Sequence, residues 1–353
     1  MDDPSRLWSR GIAEITPYVP GEQPQGDGWI KLNTNENPYP PSPRATAAMM
    51  TAGQARMPLY PDPRCSELRQ VLSKRFGVPV EATFAGNGSD EILAFAFRAF
   101  FQRDGELLFP DVTYSFYPVY AKFWGIPFRT VPLREDFSIA PEDYRGPASG
   151  IVFPNPNAPT AMPLGRSAVR TIAVAHPDCV VLVDEAYVDF GAESSIPLLE
   201  SHPNIVVVQT MSKSWSLAGL RVGFAIAHPT LISALERVRD SFNSYTLDRI
   251  AQIAATAALE DDTWFRETTA KVVATREWFV AELEHLEFDV LPSAANFVFA
   301  AHPTLNAKQL LERLREHRIL VRAFSGPRLE RHARISIGTD EQMRQLVDVL
   351  RRL

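Results

Sequence analysis

The chain has only two cysteines among its 353 residues. Cys65 and Cys179 stand in no CxxC spacing and have no obvious partner, so no disulfide framework is expected and both read as free thiols of a reducing cytoplasm. The seven histidines form no HExxH or similar ligand set, and no metal site is expected. Long apolar runs are missing: no stretch approaches membrane-spanning length. The opening Met1 Asp2 Asp3 Pro4 has neither the basic nor the apolar region of a secretory signal, which points to a cytoplasmic protein without membrane attachment. An excess of positive charge is also absent. The formal net charge of -6 argues against nucleic acid as the main partner. There is no GxGxxG after a strand and no GxxxxGK(S/T), so a plain nucleotide-binding protein is a weak reading.

What is present is a long alternation of apolar strand runs and helical patterns, without repeats or low-complexity segments. The length suits one large domain and a smaller one. Residues 1–30, rich in Pro and Gly, read as an amino-terminal arm that packs with the small domain. Residues 31–247 read as an α/β domain with a large, mostly parallel sheet covered by helices on both faces. Residues 248–353 read as a small α+β domain.

The most informative run is Met211 Ser212 Lys213 Ser214, which follows the apolar strand Ile205 Val206 Val207 Val208. A lysine at the end of a buried strand sits near the interior, where burial penalises the ammonium and leaves a nucleophilic amine suited to trapping an aldehyde. Arg221, farther along, offers a planar fork suited to phosphate. The strand Val180 Val181 Leu182 Val183 runs straight into Asp184. In open α/β sheets ligands bind at the carboxyl ends of strands, and a buried carboxylate there needs a cationic partner. A protonated pyridine nitrogen is one; a capped helix is the plainer use of such an aspartate. Tyr187 follows closely enough to put a phenol near the same ring.

The segment Ala85 Gly86 Asn87 Gly88 Ser89 Asp90 Glu91 reads as strand, glycine turn and helix start, a place where free backbone N–H groups bind phosphate. Ser89 can cap that helix, and Asp90 and Glu91 are expected to point away from an anion. Tyr114 stands where another strand ends and could stack on a flat cofactor; a core aromatic is the commoner use. Pro154 Asn155 Pro156 Asn157 Ala158 Pro159 forms a proline-fixed turn able to hold an amide rigidly.

Taken together and in this order, these pieces resemble the fold type I pyridoxal-phosphate aminotransferases, and most closely the histidinol-phosphate aminotransferase family. The resemblance covers nearly the whole chain. It includes Leu32 Asn33 Thr34 Asn35 Glu36 Asn37 Pro38 near the start, Tyr60 Pro61 Asp62 Pro63, Ser293 Ala294 Ala295 Asn296 Phe297, and Arg334 Ile335 Ser336 Ile337 Gly338. It implies pyridoxal 5'-phosphate as cofactor, with Lys213 forming the Schiff base and moving the proton between the substrate α-carbon and the cofactor. It also implies that Asp184 pairs with the pyridine nitrogen, Tyr187 reaches the phenolic oxygen, and Tyr114 stacks on the ring. The phosphate is expected to meet Ser212, Arg221 and the Gly88–Ser89–Asp90 helix start. Tyr60 matches the family tyrosine that reaches the neighbouring subunit's phosphate, which implies a homodimer with shared active sites.

On the substrate side, Arg334 matches the arginine that holds the anionic group, and Arg322 a second one associated with the substrate phosphate. Tyr18, in an arm folded over the site, and Asn35 complete the implied substrate contacts. The family commonly has Asn Asn Pro Thr Gly where this chain has Asn157 Ala158 Pro159 Thr160 Ala161, so the asparagine next to the proline is absent. Asn157, or else Asn155, is expected to take over its bond to the phenolic oxygen, unless Tyr187 carries it alone. An aromatic substrate contact is expected from Phe242 or Tyr245. The function implied is transfer of an amino group between histidinol phosphate and 2-oxoglutarate in histidine biosynthesis. An aromatic (phenylalanine or tyrosine) aminotransferase is the nearest alternative, and a decarboxylase of a phosphorylated amino acid a more distant one.

Overall fold

The computed structural model describes residues 3–9, 11–52 and 57–353; the first two residues of the expected arm, and residue 10 within it, lie outside these. The largest sheet has seven strands, ordered in space Thr83–Asn87, Val222–Ala227, Ile205–Thr210, Val180–Asp184, Gly150–Pro154, Leu107–Pro110, Phe128–Val131. The last five run parallel, and Val222–Ala227 is antiparallel to both its neighbours. The α/β class read from the sequence is the one observed.

These strands are β-branched runs because both faces of the sheet are covered. Val181, Val183, Ile205 and Val207 enter the core on one face, whereas Val180, Leu182, Val206 and Val208 enter the core on the other. The period of two along each strand therefore splits a continuous apolar run between two helical layers. Each fully buried Val or Leu contributes about 1.5–3 kcal/mol.

The carboxyl-terminal part holds a four-stranded antiparallel sheet in the order Arg322–Ala323, His332–Ser336, Phe297–Ala301, Asp289–Val290. Helices Asp262–His285, Ala307–Glu316 and Asp340–Leu350 close its core around Phe279, Val298, Leu310 and Leu346. The last two helices each begin with a full capping box, from Asn306 and Gln309 and from Thr339 and Gln342.

Two expected boundaries shift. Ile30–Lys31 pairs in parallel with Ile319–Leu320, and Leu32 belongs to the carboxyl-terminal core, so the stretch after residue 30 starts with the small sheet and not with the large one. At the other end, helix Arg249–Leu259 turns Ala251, Ala255, Ala258 and Leu259 into the core that contains Leu68, Leu72 and Phe224. The large-sheet unit thus continues past residue 247. The cause is the alanine-rich face of this helix, which permits close approach to helix Pro43–Ala52.

Arg328 is one of the side chains that tie the carboxyl-terminal part to the large sheet. Arg328 lies over the Phe137 ring at 4.7 Å, donates to the Leu133 carbonyl at 3.1 Å and approaches Asp111 Oδ2 at 3.4 Å.

Candidate active site

A cavity of about 480 Å³ lies at the carboxyl ends of the parallel strands, where Pro110, Pro154, Asp184 and Thr210 end their runs. The arm, through Tyr18, and the carboxyl-terminal sheet, through Arg322 and Arg334, form its other walls.

Lys213 stands in the turn after strand Ile205–Thr210, and its Nζ donates to the Thr34 carbonyl at 3.1 Å. Among the described residues no carboxylate is bonded to it. Burial, reinforced by the positive Arg334, pulls its ammonium down to about 8. Asp184 is 4% exposed, and burial pushes its carboxyl up to about 7. It accepts from the Tyr117 hydroxyl at 3.1 Å and from the Ala186 N–H at 3.3 Å, with no cation bonded to it among the described residues. An amine of lowered basicity and a buried carboxylate face one cavity. This is the pairing required to hold an aromatic cation and attack an aldehyde.

One end of the cavity is built for an anion. Strand Thr83–Asn87 turns at Gly88, with φ of +79°, into helix Gly88–Ala96, and no side chain caps that helix. Ser89 sits inside the first turn and so does not serve as the cap that the sequence suggests. Arg221 donates to Ser212 Oγ at 3.3 Å and ion-pairs with Asp90 at 3.1 Å, while Thr210 Oγ1 donates to Ser212 Oγ at 3.0 Å. Two glycines make this closeness possible. A Cβ on Gly88 would lie 2.7 Å from the Arg221 guanidinium, and one on Gly223 would lie 2.5 Å from the Ser89 nitrogen.

Asp90 departs from the sequence expectation. Its carboxylate faces the cavity, because Arg221 pairs with one oxygen and the Tyr114 hydroxyl donates to the other at 2.8 Å. Glu91 behaves as expected: it folds back to accept the Asn87 N–H at 2.7 Å. Tyr114, with its hydroxyl anchored in this way, presents its ring to the cavity.

The opposite end carries two facing guanidinium groups. Arg322 and Arg334 are direct cross-strand partners, an arrangement that is destabilising for like charges unless an anion joins them. Arg334 is steered by the Asn33 carbonyl at 2.8 Å and by the rings of Phe297 and Phe324, and its buried Nε has no partner. Tyr18 is held over the cavity by stacking on Phe116, with ring centroids 4.2 Å apart.

Four sequence expectations are not met by the geometry within one chain. Asn157 does not line the cavity: its Nδ2 donates to the Val112 carbonyl and to Thr160, and its Oδ1 accepts from Thr113. Asn155 is equally occupied, bonding both ways with the Leu164 backbone. The residues of this turn that do line the cavity are Pro154, Ala158 and Pro159, so neither asparagine supplies the expected amide. Asn35 lines the cavity, with its Nδ2 donating to the Tyr187 hydroxyl and its Oδ1 accepting from Ser336, so its amide is oriented by protein groups at both ends. Phe242 and Tyr245 lie on the surface, Tyr245 stacked on Tyr60 at 4.5 Å, and neither Phe242 nor Tyr245 lines the cavity of its own chain; Tyr60, expected to serve a neighbouring subunit, is exposed on the same surface.

Sequence reasoning missed Thr210, Tyr117 and Gly223. A strand-end threonine and a strand glycine carry no signal of their own, and Tyr117 reads as one more core aromatic. Among the described residues no group of His, Cys, Asp and Glu could hold a metal ion, and no helix is long and apolar enough to cross a membrane.

The cavity fits pyridoxal phosphate: an anion cradle, a ring face at Tyr114, a buried carboxylate and a lysine of lowered basicity line one space. Comparison with known proteins agrees. The family model for aminotransferase class I and II matches residues 27–350. The chain is 54% identical over 351 residues to the histidinol-phosphate aminotransferase of Aromatoleum aromaticum, covering 98% of this chain and 99% of that one. It is 53% identical to histidinol-phosphate aminotransferase 1 of Bradyrhizobium diazoefficiens, at 99% coverage of both. Among solved structures, that of histidinol-phosphate aminotransferase from Sinorhizobium meliloti in complex with pyridoxal-5'-phosphate matches with a TM-score of 0.84 and 25% identity, covering 92% of this chain and 91% of that one. The protein whose cavity places Lys213, Asp184 and Arg221 together belongs to the class I and II aminotransferases.

Proposed function

We propose that the chain transfers the amino group between histidinol phosphate and 2-oxoglutarate, as a cytoplasmic homodimer serving histidine biosynthesis. The observation that carries the substrate is the pair Arg322 and Arg334, facing each other across adjacent strands on one cavity wall. Two forks suit a phosphate at one and a carboxylate at the other, so one site can accept a phosphorylated amine and then a dicarboxylate. The identities of more than half with relatives bearing that name support the same reading.

Pyridoxal phosphate, when bound, supplies an aldehyde carbon that takes up the amino group and a ring that withdraws electrons from the adjacent carbon. Asp184 would hold the ring nitrogen, Tyr187 the phenolic oxygen and Tyr114 the ring face, and Ser89, Thr210, Ser212 and Arg221 would hold the phosphate. Asp90 keeps the Arg221 fork in place and fixes the tilt of Tyr114 through the opposite oxygen. Lys213 Nζ, lowered to about 8 by burial, is the group that would accept the proton of the substrate carbon and hold it for the aldehyde-derived carbon two atoms away. Tyr18 and the loop held by Arg328 cover the cavity and exclude water.

The exposed Met57, Leu59, Tyr60, Phe242 and Tyr245 support a homodimer in which Tyr60 serves the neighbouring subunit. Mixing Tyr60→Phe with Lys213→Ala chains tests this, since only shared sites restore activity in the mixture.

The test of substrate is a side-by-side turnover assay with 2-oxoglutarate. Histidinol phosphate is expected to exceed phenylalanine and tyrosine in kcat/KM by on the order of a hundredfold, the scale of losing one charge-paired anion contact. Equal or better rates with the aromatic amino acids would assign the protein to aromatic transamination.

A further inference from the structure

The turn that commonly brings an asparagine to the cofactor in this family brings a methyl group here. Ala158 faces the cavity inside a small apolar cluster with Ala161, Ala295 and Phe297, against which Tyr187 packs. Asn157 donates both amide hydrogens elsewhere, to Val112 and Thr160, Asn155 is turned to the Leu164 backbone, and neither lines the cavity. The hydroxyl of Tyr187 is therefore the polar group on this side of the cavity.

That hydroxyl is not free to turn. Asn35 Nδ2 donates to it at 3.0 Å. The amide of Asn35 is fixed in this sense, because its Oδ1 accepts from Ser336 Oγ at 2.9 Å and its own N–H donates to the same Ser336 oxygen at 2.9 Å. Asn296 Nδ2 donates to the Asn35 carbonyl at 3.0 Å and closes the network. Asn35 is 1% exposed and adopts a φ of +55°, a left-handed conformation that asparagine tolerates better than most residues and that its surroundings hold in place. A donor already points at the phenol oxygen, so the phenol's own proton must be given elsewhere, and the open direction is the cavity.

We infer that Asn35 is a positioning residue that fixes the Tyr187 proton toward the cofactor's phenolic oxygen, and so replaces, at one remove, the amide that Ala158 lacks. The inference rests on the reading that places Tyr187 beside that oxygen. A hydrogen bond accepted by the phenol strengthens the one it donates. A stronger donor at the phenolic oxygen stabilises its negative charge and lowers the pH at which the lysine-bound cofactor loses its proton.

The experiment is a pH titration of the visible absorption band of the pyridoxal-phosphate-loaded protein, with thermal melting as a check of folding. Asn35→Asp keeps size and backbone tolerance while replacing the donor by an acceptor, which draws the Tyr187 proton away from the cavity. Its band midpoint is expected to rise by roughly one pH unit or more, the worth of one hydrogen bond to a charged group. Asn35→Ala should rise less, and Ala158→Asn added to Asn35→Ala should bring the midpoint back down. In a Tyr187→Phe background the Asn35 changes should have no further effect.

A midpoint unmoved in folded Asn35→Asp, or an equal shift with and without the Tyr187 hydroxyl, would overturn the inference while leaving the cofactor assignment intact. A midpoint unmoved by Tyr187→Phe alone would overturn the placement of Tyr187, and the inference with it. Absence in the wild-type protein of any visible band that Lys213→Ala abolishes would overturn the cofactor reading itself.

Discussion

Tyr117 donates its phenolic proton to Asp184 Oδ2 at 3.1 Å, and both groups are buried. The tyrosine ring is wedged among Phe97, Phe109 and Tyr114, so the hydroxyl has no freedom to leave the carboxylate. Burial raises Asp184 and this hydrogen bond opposes the rise, which keeps the carboxylate available for a ring cation. Tyr117→Phe is expected to lower kcat by about ten- to a hundredfold, the worth of a hydrogen bond to a charged group. The acid limb of the pH profile should move upward at the same time. A profile identical to the wild type would leave Tyr117 with a packing role alone.

Lys213 sets the pH range of cofactor capture. Its ammonium lies at about 8 instead of 10.5. About a tenth of the chains carry a neutral amine at pH 7, against well under a thousandth for an ordinary lysine. The rate at which cofactor-free protein takes up pyridoxal phosphate should rise about tenfold for each pH unit below 8 and level off above it. Lys213→Ala should lose both the visible band and turnover. A rise that continues to pH 10 would show a lysine of ordinary basicity.

The cofactor-free protein should lose stability as pH rises from about 4 to 7. Asp184 and Glu185 both have folded values raised to about 7 by burial, above the ordinary 3.8 and 4.5. In that window the folded chain binds protons that the unfolded chain has released, so each added pH unit favours unfolding. Asp184→Asn should flatten the decline, and Glu185→Gln should do so independently. The contribution per group is on the order of a few kcal/mol. A melting temperature as steeply pH-dependent in both variants as in the wild type would contradict these environments.

Arg221 and Asp90 form one unit at the anion end. Arg221→Ala removes the fork and leaves Asp90 facing an incoming phosphate, so cofactor affinity should fall by more than a hundredfold, beyond the loss of one charged hydrogen bond. Asp90→Asn in that background should recover part of the loss. Dissociation constants measured by fluorescence quenching decide this, and no recovery would mean that Asp90 does not act on the phosphate.

Arg328 bridges the carboxyl-terminal part to Leu133 and Asp111. Arg328→Ala should raise KM for the amino donor several-fold, with cofactor affinity unchanged, because the loop carrying Phe324 and Ser325 loses its tie to the large sheet. A selective fall in cofactor affinity would place the effect elsewhere.

The sequence by itself determined the large sheet, since runs such as Val180–Val183 and Ile205–Val208 admit only strands buried on two faces. It also determined the chemistry at their ends, because a lysine or aspartate that closes an apolar run is carried to the edge of the core wherever the run is buried. Lys213 and Asp184 stand at such positions, and both line the cavity. Tertiary structure alone decided what meets them. Asp90 faces the cavity because Arg221, far away in sequence, supplies its counter-charge. Asn157 turns from the cavity because Val112 and Thr160 take its donors, and Asn35 turns to Tyr187 because Ser336 holds its oxygen. Local patterns fix which residues are buried, but a polar side chain is aimed by hydrogen-bond partners that only folding brings within 3 Å or so.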